Sequence, residues 1–514
     1  MSLRMDRRQF LRTIVGLVFS LAGQPGLRAR KASSHIGNQK APNILILVFD
    51  AFSARNASIY GYARETTPNL EQFADGAIVY HRNYSAGNFT NPGTASLLTG
   101  TYPWTHRALH LRDSVSRDAV RTNMFSSFAA AQYHRIAYSH NLQVTGLLDD
   151  FRPDLEELMR TRQLCLMDSQ LSDLLFLKDH NVAIWRERLF RGGGTVLPST
   201  PTSMLLYPLH KRIWLAYRGM LEGHYKDLFP RGLPTLHDQV FLLEDAIDWL
   251  IEGLDRMPRP FLAYFHLLPP HDPYNTRREF VDRFDDGWQA LAKEEHFLSD
   301  RQSDEYLSEK RRLYDEYIAY ADAEFGRLYR SMAHSGLLDD TYVVLTSDHG
   351  EMFERGIWGH ITPTLYEPVV HVPLLIFRPG QRQREDVYVP SSGVDLLPTL
   401  LHATGQPIPD WCEGRVLPPF GEPGALSDRS AYVVEAKSNR KQGPLTKASV
   451  AMIKGRHKLV HYLGYFGYED EYELYDLVND TEETEDLYPS GGALVRELRD
   501  ELQAKIQEIN QPYL

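Results

Sequence analysis

The chain of 514 residues, 43% apolar, 24% charged and 11% aromatic, is long enough for one large core plus a smaller unit and has the make-up of a globular protein. A net charge of −11 speaks against nucleic-acid binding, which calls for a basic face. Two cysteines, Cys165 and Cys412, are too few for a disulfide framework or a cysteine-built metal site, and leave room for one pairing at most.

The N-terminus, "MDRRQFLRTIVGLVFSLAG", joins Arg7-Arg8 to a short apolar run from Ile14 to Ala22. That run is too short to span a bilayer comfortably, and its paired arginines fit a twin-arginine export signal over residues 1–32. The expected location is periplasmic or secreted. No other segment is long and apolar enough for a membrane span, so none is expected once the signal is removed.

"APNILILVFDAF" (41–52) is a continuous apolar run ending in an acid, the pattern of a strand buried on both faces. "TTPNLEQFADG" follows as a helix. "NFTNPGTASLLTG" (88–100) reads as a turn-rich loop up to Gly93 feeding a helix from Thr94, and a helix N-terminus is a ready anion site. Residues 150–235 read as an insertion, with the loose stretch "FRGGGTVLPSTPTS" inside it. "HDQVFLLEDAIDWLIEGL" and "EYIAYADAEFGRLYRSMAHSGL" are helical patterns. "RPFLAYFHLLPPHDPY", "DDTYVVLTSDHGE" and "HVPLLIFRPG" are further buried strands. Alternating strands and helices predict an α/β doubly wound, mostly parallel sheet over 41–406. From about Pro407 to 514 the texture predicts a small α+β subdomain, an antiparallel sheet closed by the helix "ALVRELRDELQAKIQEI".

In a doubly wound sheet, ligands sit beyond the carboxyl ends of the strands. Asp50 closes one buried strand and Asp348-His349 closes another. Oxygen ligands with one imidazole suit one divalent cation, zinc or manganese first, calcium or magnesium as alternatives. The blander reading, a helix cap and a loop opening, is weakened because two such sites occupy matching positions. Thr90 then gains meaning, since a metal lowers a hydroxyl's pKa enough for attack on phosphorus or sulfur. His271 and His360 follow buried strands at the same edge and can hold an ester's oxygens, protonate a leaving group or bind metal. Asp272 beside His271, His106 in "TYPWTHRALH" and Asn91 beside Thr90 are weaker substrate-side candidates. Lys458 and His461, in the C-terminal hairpin, read as ordinary surface residues.

Over almost all of the sequence after the signal, the chain resembles the sulfatase family of the alkaline phosphatase superfamily. The landmarks are "PNILILVFDAF", "YGYARETTPNLEQFADGAIVY", "TASLLTGTYPWTH", "PPHDPY", "TSDHGEMFERGIWGHITPTLYEPVVHVPLLIFRPG", "VDLLPTLLHATGQPIP" and the closing "KGRHKLV" and "ELYDLVNDTEETEDL". The resemblance implies an alkaline phosphatase-like fold and a metal held by Asp50, Asp348 and His349, with Thr90 as nucleophile. It also implies that His271 and His360 contact the substrate anion, His360 standing where sulfatases usually have lysine.

The departures are specific. Sulfatases carry C/S-x-P-x-R, whose first residue is oxidised to formylglycine; here the frame reads Thr90-Asn-Pro-Gly-Thr94. No formylglycine can form, and the arginine is absent. Thr101 stands where a lysine follows, and Ala51 where a second aspartate does. A formylglycine hydrate expels sulfate by breaking its own C–O bond; threonine cannot. A phosphoryl-threonine turns over by a second in-line displacement, as in the phosphodiesterase and phosphoethanolamine- or phosphoglycerol-transferase branches. The expected activity is therefore metal-dependent cleavage or transfer of a phosphodiester through Thr90. The alternatives are a sulfuric ester hydrolase and an inactive sulfatase-fold protein that binds an anionic glycan or lipid headgroup. The expected partner is a small-molecule, glycan or lipid-headgroup ester, and oligomeric state is left open.

Overall fold

Strand β1 (Asn43–Phe49) is buried at every residue. Leu45, Leu47 and Phe49 enter one core and Ile44, Ile46 and Val48 another, which is why the run shows no polar alternation. The computed structural model describes residues 41–111, 114–167, 201–236, 239–422, 424 and 428–513, with backbone alone at 201–210. The signal-like segment 1–32 and residues 168–200 of the expected insertion lie outside the described residues.

In chain order there follow α1 (Pro68–Phe73), β2 (Ile78–Tyr80), α2 (Thr90–Thr99), β3 (His134–Ser139) and β4 (Glu157–Leu158). Next come α3 (Pro201–Tyr225), α4 (Leu243–Gly253), β5 (Phe261–Leu267), α5 (Asp304–Ser335) and β6 (Thr341–Thr346). Then come α6 (Glu367–Val370), β7 (Leu374–Phe377), β8 (Glu385–Val387) and α7 (Leu396–Ala403). The last elements are β9 (Ser430–Glu435), β10 (Ala448–Lys454), β11 (His457–Leu463), β12 (Glu471–Asp476) and α8 (Ala493–Asn510).

The main sheet runs β8-β2-β7-β6-β1-β5-β3-β4. β1 is parallel to β6 and β5, and β3 is parallel to β5 and β4. Val48 is level with both Thr346 and His266, and His266 with Ser139. Four parallel strands thus end together, and the residues after them share one edge. β7 is a buried strand as expected but antiparallel to β6, so its carboxyl end faces away from that edge. Helices α1, α4 and α5 cover one face, and α2 and α7 the other, the doubly wound arrangement.

Two local expectations need correction. α2 begins at Thr90, not Thr94: Pro92 falls in the first turn, where a backbone N–H has no helical partner to lose. The segment expected as one helix from 237 opens with a short strand, Gln239–Phe241, before α4.

The C-terminal sheet is antiparallel in the order β9-β10-β11-β12. One face packs on α8 with Tyr102, Trp104 and Leu109, the other on Met352, Leu365, Tyr366, Val369 and Val370. With both faces covered, Lys458 and His461 are buried rather than on the surface. Lys458 pairs with Glu367 (3.0 Å) and with Glu483, an inward ammonium held by two carboxylates. Neither Cys165 nor Cys412 is in a disulfide.

Candidate active site

Asp50 directly follows β1, and Asp348-His349 follow β6 by one residue, Ser347. All three are completely buried, and their ligand atoms lie within 4.8 Å of one another. Each side chain is aimed by its neighbours. The His349 Nδ1–H donates to the Gly350 carbonyl (2.9 Å), which turns Nε2 inward. That Nε2 lies 3.2 Å from Thr90 Oγ1, 3.4 Å from Asp50 Oδ1 and 3.6 Å from Asp348 Oδ2. Asp348 Oδ1 accepts from the His349 and Ala51 amides (3.1 and 3.4 Å), so Oδ2 is its inward oxygen. Ala51 reaches Asp348 because its backbone turns into the left-handed region, φ +61°, an arrangement held by the Tyr314 hydroxyl on its carbonyl (2.6 Å).

Two buried carboxylates face one imidazole, and Asp50 Oδ1 is buried with no hydrogen-bond partner among the described residues. Such a group costs several kcal/mol if left bare, roughly 1–3 or more. Burial and the neighbouring Asp50 push the Asp348 carboxyl above its usual range. The donor set, carboxylate oxygens plus one imidazole nitrogen, is one that divalent cations take; Asp50, Asp348, His349 and the Thr90 hydroxyl fit a cation.

Helix α2 is buried along its whole length and starts against the end of β6. Gly93 permits the approach, and the Ser85 hydroxyl donates to the Asp348 carbonyl. Thr94 Oγ1 donates to Asp348 Oδ2 (3.3 Å), and Thr101 Oγ1 meets Thr99 Oγ1 (2.8 Å). Thr94 and Thr101, standing where the resemblance leads one to expect arginine and lysine, are therefore spent on hydrogen bonds within the fold.

A row of three imidazoles borders the cluster: the His349 and His360 rings lie 4.2 Å apart, and those of His360 and His271 4.9 Å. His360 Nδ1 is 3.2 Å from both oxygens of Glu351. Burial lowers the His360 pKa, and the charges of His349 and His271 lower it further. Burial also depresses His271, but Asp50, Asp272 and Glu351 more than offset it and raise its pKa. The His271 Nδ1–H donates to the Asp272 carbonyl (2.7 Å), with an Asp272 carboxylate oxygen at 3.2 Å. Asp272 thereby orients His271 and leaves Nε2 for another partner.

Asn91 ties the first turn of α2 to the next loop by donating to the His110 carbonyl (2.8 Å). His106 does not join the site. Its Nε2 meets Ser96 Oγ (2.9 Å), its Nδ1 accepts from the Ala108 amide (3.1 Å), and burial pushes its pKa down to about 3. Both ring nitrogens are used inside the fold, which removes it from the substrate-side set.

Sequence reasoning missed His266 and Asn141, which both hydrogen-bond Asp50 Oδ2 (3.1 and 2.6 Å), and Glu351 beside His360. His266 lies inside an apolar run, where its facing cannot be read. Asn141 stands two residues past a strand, "HRIAYS", too short to stand out.

The sulfatase family model matches residues 42–147 and 208–406, and a model for the C-terminal part of N-sulphoglucosamine sulphohydrolase matches 358–512. The chain belongs to the sulfatase family. Choline-sulfatase of Rhizobium meliloti (strain 1021) is 24% identical over 445 residues, 82% of this chain and 78% of that protein. Among solved structures, the phosphonate monoester hydrolase of Agrobacterium radiobacter superposes with a TM-score of 0.66 at 20% identity, covering 92% of this chain and 96% of that one. The phosphonate monoester hydrolase SpPMH from Silicibacter pomeroyi gives 0.64 at 20% identity, over 91% and 96%. The sulfatase-family chain is thus a hydrolase of ester bonds.

Proposed function

We propose that this sulfatase-family enzyme cleaves or transfers a phosphodiester or phosphonate-type ester through Thr90. The observation that carries the reading is Thr90 Oγ1 at the first residue of α2, 3.2 Å from His349 Nε2 and beside the Asp50–Asp348 pair.

Asp50, Asp348 and His349 would hold a divalent cation, zinc or manganese first, whose positive charge would make the Thr90 hydroxyl ionisable near neutral pH. The hydroxyl proton goes to water. The Thr90 oxygen then attacks phosphorus and forms an O–P bond while the bond to the leaving oxygen breaks. The leaving oxygen takes a proton from His271. In the second step water, or an alcohol in a transferase, gives a proton back to His271 and attacks phosphorus. Thr90 departs and is reprotonated. His360 lines the wall between His271 and His349 and contacts the ester oxygens. The threonines at 94 and 101 leave the site short of fixed cations, which suits a monoanionic diester better than a dianion.

The likeness to choline-sulfatase supports a second reading, a sulfuric ester hydrolase. Turnover of bis-nitrophenyl phosphate, a phosphonate monoester and nitrophenyl sulfate, with and without chelator, separates the two. Chelator-sensitive phosphoester turnover that Thr90→Ala abolishes, with phosphate trapped on Thr90, is expected. Sulfate-only turnover that survives Thr90→Ala would sink the proposal, and no turnover with an empty metal analysis would leave an anion-binding protein.

We propose further that residues 1–32 direct twin-arginine export. Changing Arg7 and Arg8 to lysine should then abolish recovery of the enzyme outside the cytoplasm; unchanged fractionation would overturn this.

A further inference from the structure

The two oxygens of Asp50 are treated differently by the strands on either side of β1. On the β6 side, Oδ1 faces His349 Nε2 at 3.4 Å and has no hydrogen-bond partner among the described residues. On the β5–β3 side, Oδ2 meets Asn141 Nδ2 at 2.6 Å and His266 Nε2 at 3.1 Å. Both donors are buried, and both are fixed by a second bond. The Asn141 Oδ1 accepts from the Gln143 amide (2.9 Å) as the cap of the following helix, so its nitrogen must point at Asp50. His266 Nδ1 lies 3.1 Å from the Tyr264 hydroxyl.

A carboxylate oxygen can only accept, so His266 Nε2 is the donor to Asp50 and carries the proton. A protonated Nε2 has no lone pair for a cation. Asp348 Oδ2 lies 3.6 Å from it, beyond hydrogen-bond distance, so the donation is committed to Asp50.

We infer that His266 and Asn141 are positioning residues that hold Asp50 as a one-oxygen ligand, with Oδ2 tied off and Oδ1 presented to the cation. The inference rests on the cation site proposed above and adds that its donor number is set from β5 and β3. Asp348 is treated alike: its Oδ1 is occupied by two backbone amides. The inner shell therefore offers one oxygen from each carboxylate, one imidazole nitrogen and the Thr90 hydroxyl. Four such donors match small cations that accept imidazole rather than the six to eight oxygens calcium takes.

The test uses metal-free full-length protein titrated with Mn²⁺ by chelator competition and with Co²⁺ by visible absorption. Outer-layer partners of metal ligands typically carry 10–100-fold in affinity. Asn141→Leu and His266→Leu are expected to weaken Mn²⁺ by about that factor and to dim the Co²⁺ d–d bands, as Asp50 turns to offer both oxygens. His266→Gln, which keeps a donor near Nε2, should restore affinity to within a few-fold. Tyr264→Phe, which keeps the packing, should weaken binding several-fold even if the leucine variants fail to fold. Thr90→Ala should stop turnover while still taking up the ion. Unchanged affinity and spectra in the leucine variants and in Tyr264→Phe would overturn this inference alone. A wild-type protein that takes up neither ion would overturn the cation site as well.

Discussion

The Asp348 carbonyl oxygen occupies the space of a side chain at Gly93: a Cβ there would lie 2.1 Å from it. Helix α2 and the loop after β6 thus touch backbone to backbone, at a residue with no side chain to intervene.

Gly93→Ala should force α2 off the end of β6. Overpacking of this kind costs about 1–3 kcal/mol, and a displacement of about 1 Å costs roughly 100-fold in rate. Denaturant midpoints and kcat/KM measured together check this; wild-type values for both would refute the close approach.

With His271 as the proposed acid, His271→Gln should remove a contribution of roughly 10²–10⁴-fold. The loss should be large for an alkyl ester and small for a nitrophenyl ester, whose leaving group needs no acid. Equal losses on both would assign His271 to binding instead.

His106 gives a pH signature. Its folded pKa is about 3 because the ring is buried, against about 6.5 in an unfolded chain. The unfolded state therefore binds more protons. The stability from neutral His106 is complete above about pH 6.5 and is lost as pH falls, by about 2 kcal/mol at pH 5. In His106→Asn the difference in unfolding free energy from wild type should shrink by that amount between pH 7.5 and pH 5. A constant difference would mean that the ring titrates in the fold as it does in the unfolded chain.

Lys458 lies between Glu367 and Glu483, all three buried. Lys458→Met leaves two uncompensated carboxylates and should cost about 3–5 kcal/mol. The damage should reach the site, because the Pro368 and Val369 carbonyls accept from the Glu351 and Gly350 amides (3.0 and 2.6 Å). Adding Glu367→Gln and Glu483→Gln should restore most of the stability. A single variant as stable as wild type would show the ion pairs to be idle.

Legibility in the sequence followed position in the strand. Asp50 and Asp348-His349 could be read because each stands just past an apolar run, where polarity has one explanation. His266 has the same chemistry but lies within β5, whose two faces are both buried, so no alternation reveals its direction. Lys458 and His461 misled for the opposite reason: an alternating hairpin implies one wet face, while α8 and the segment around Tyr366 cover both. The start of α2 was hidden by Asn91, Pro92 and Gly93, turn formers on paper, which here serve a first helical turn. β7 carries the same apolar signature as its parallel neighbours, and direction leaves no mark in composition.

Asp50 and Asp348 lie almost at opposite ends of the sheet-forming sequence, yet the Ala51 amide reaches the Asp348 carboxylate across 297 residues. A growing chain that has made β1, α2 and β3 holds half a cage and can grip no ion. The proposed metal uptake therefore waits for β6 to pair with β1, whether or not β7 and β8 have joined the sheet.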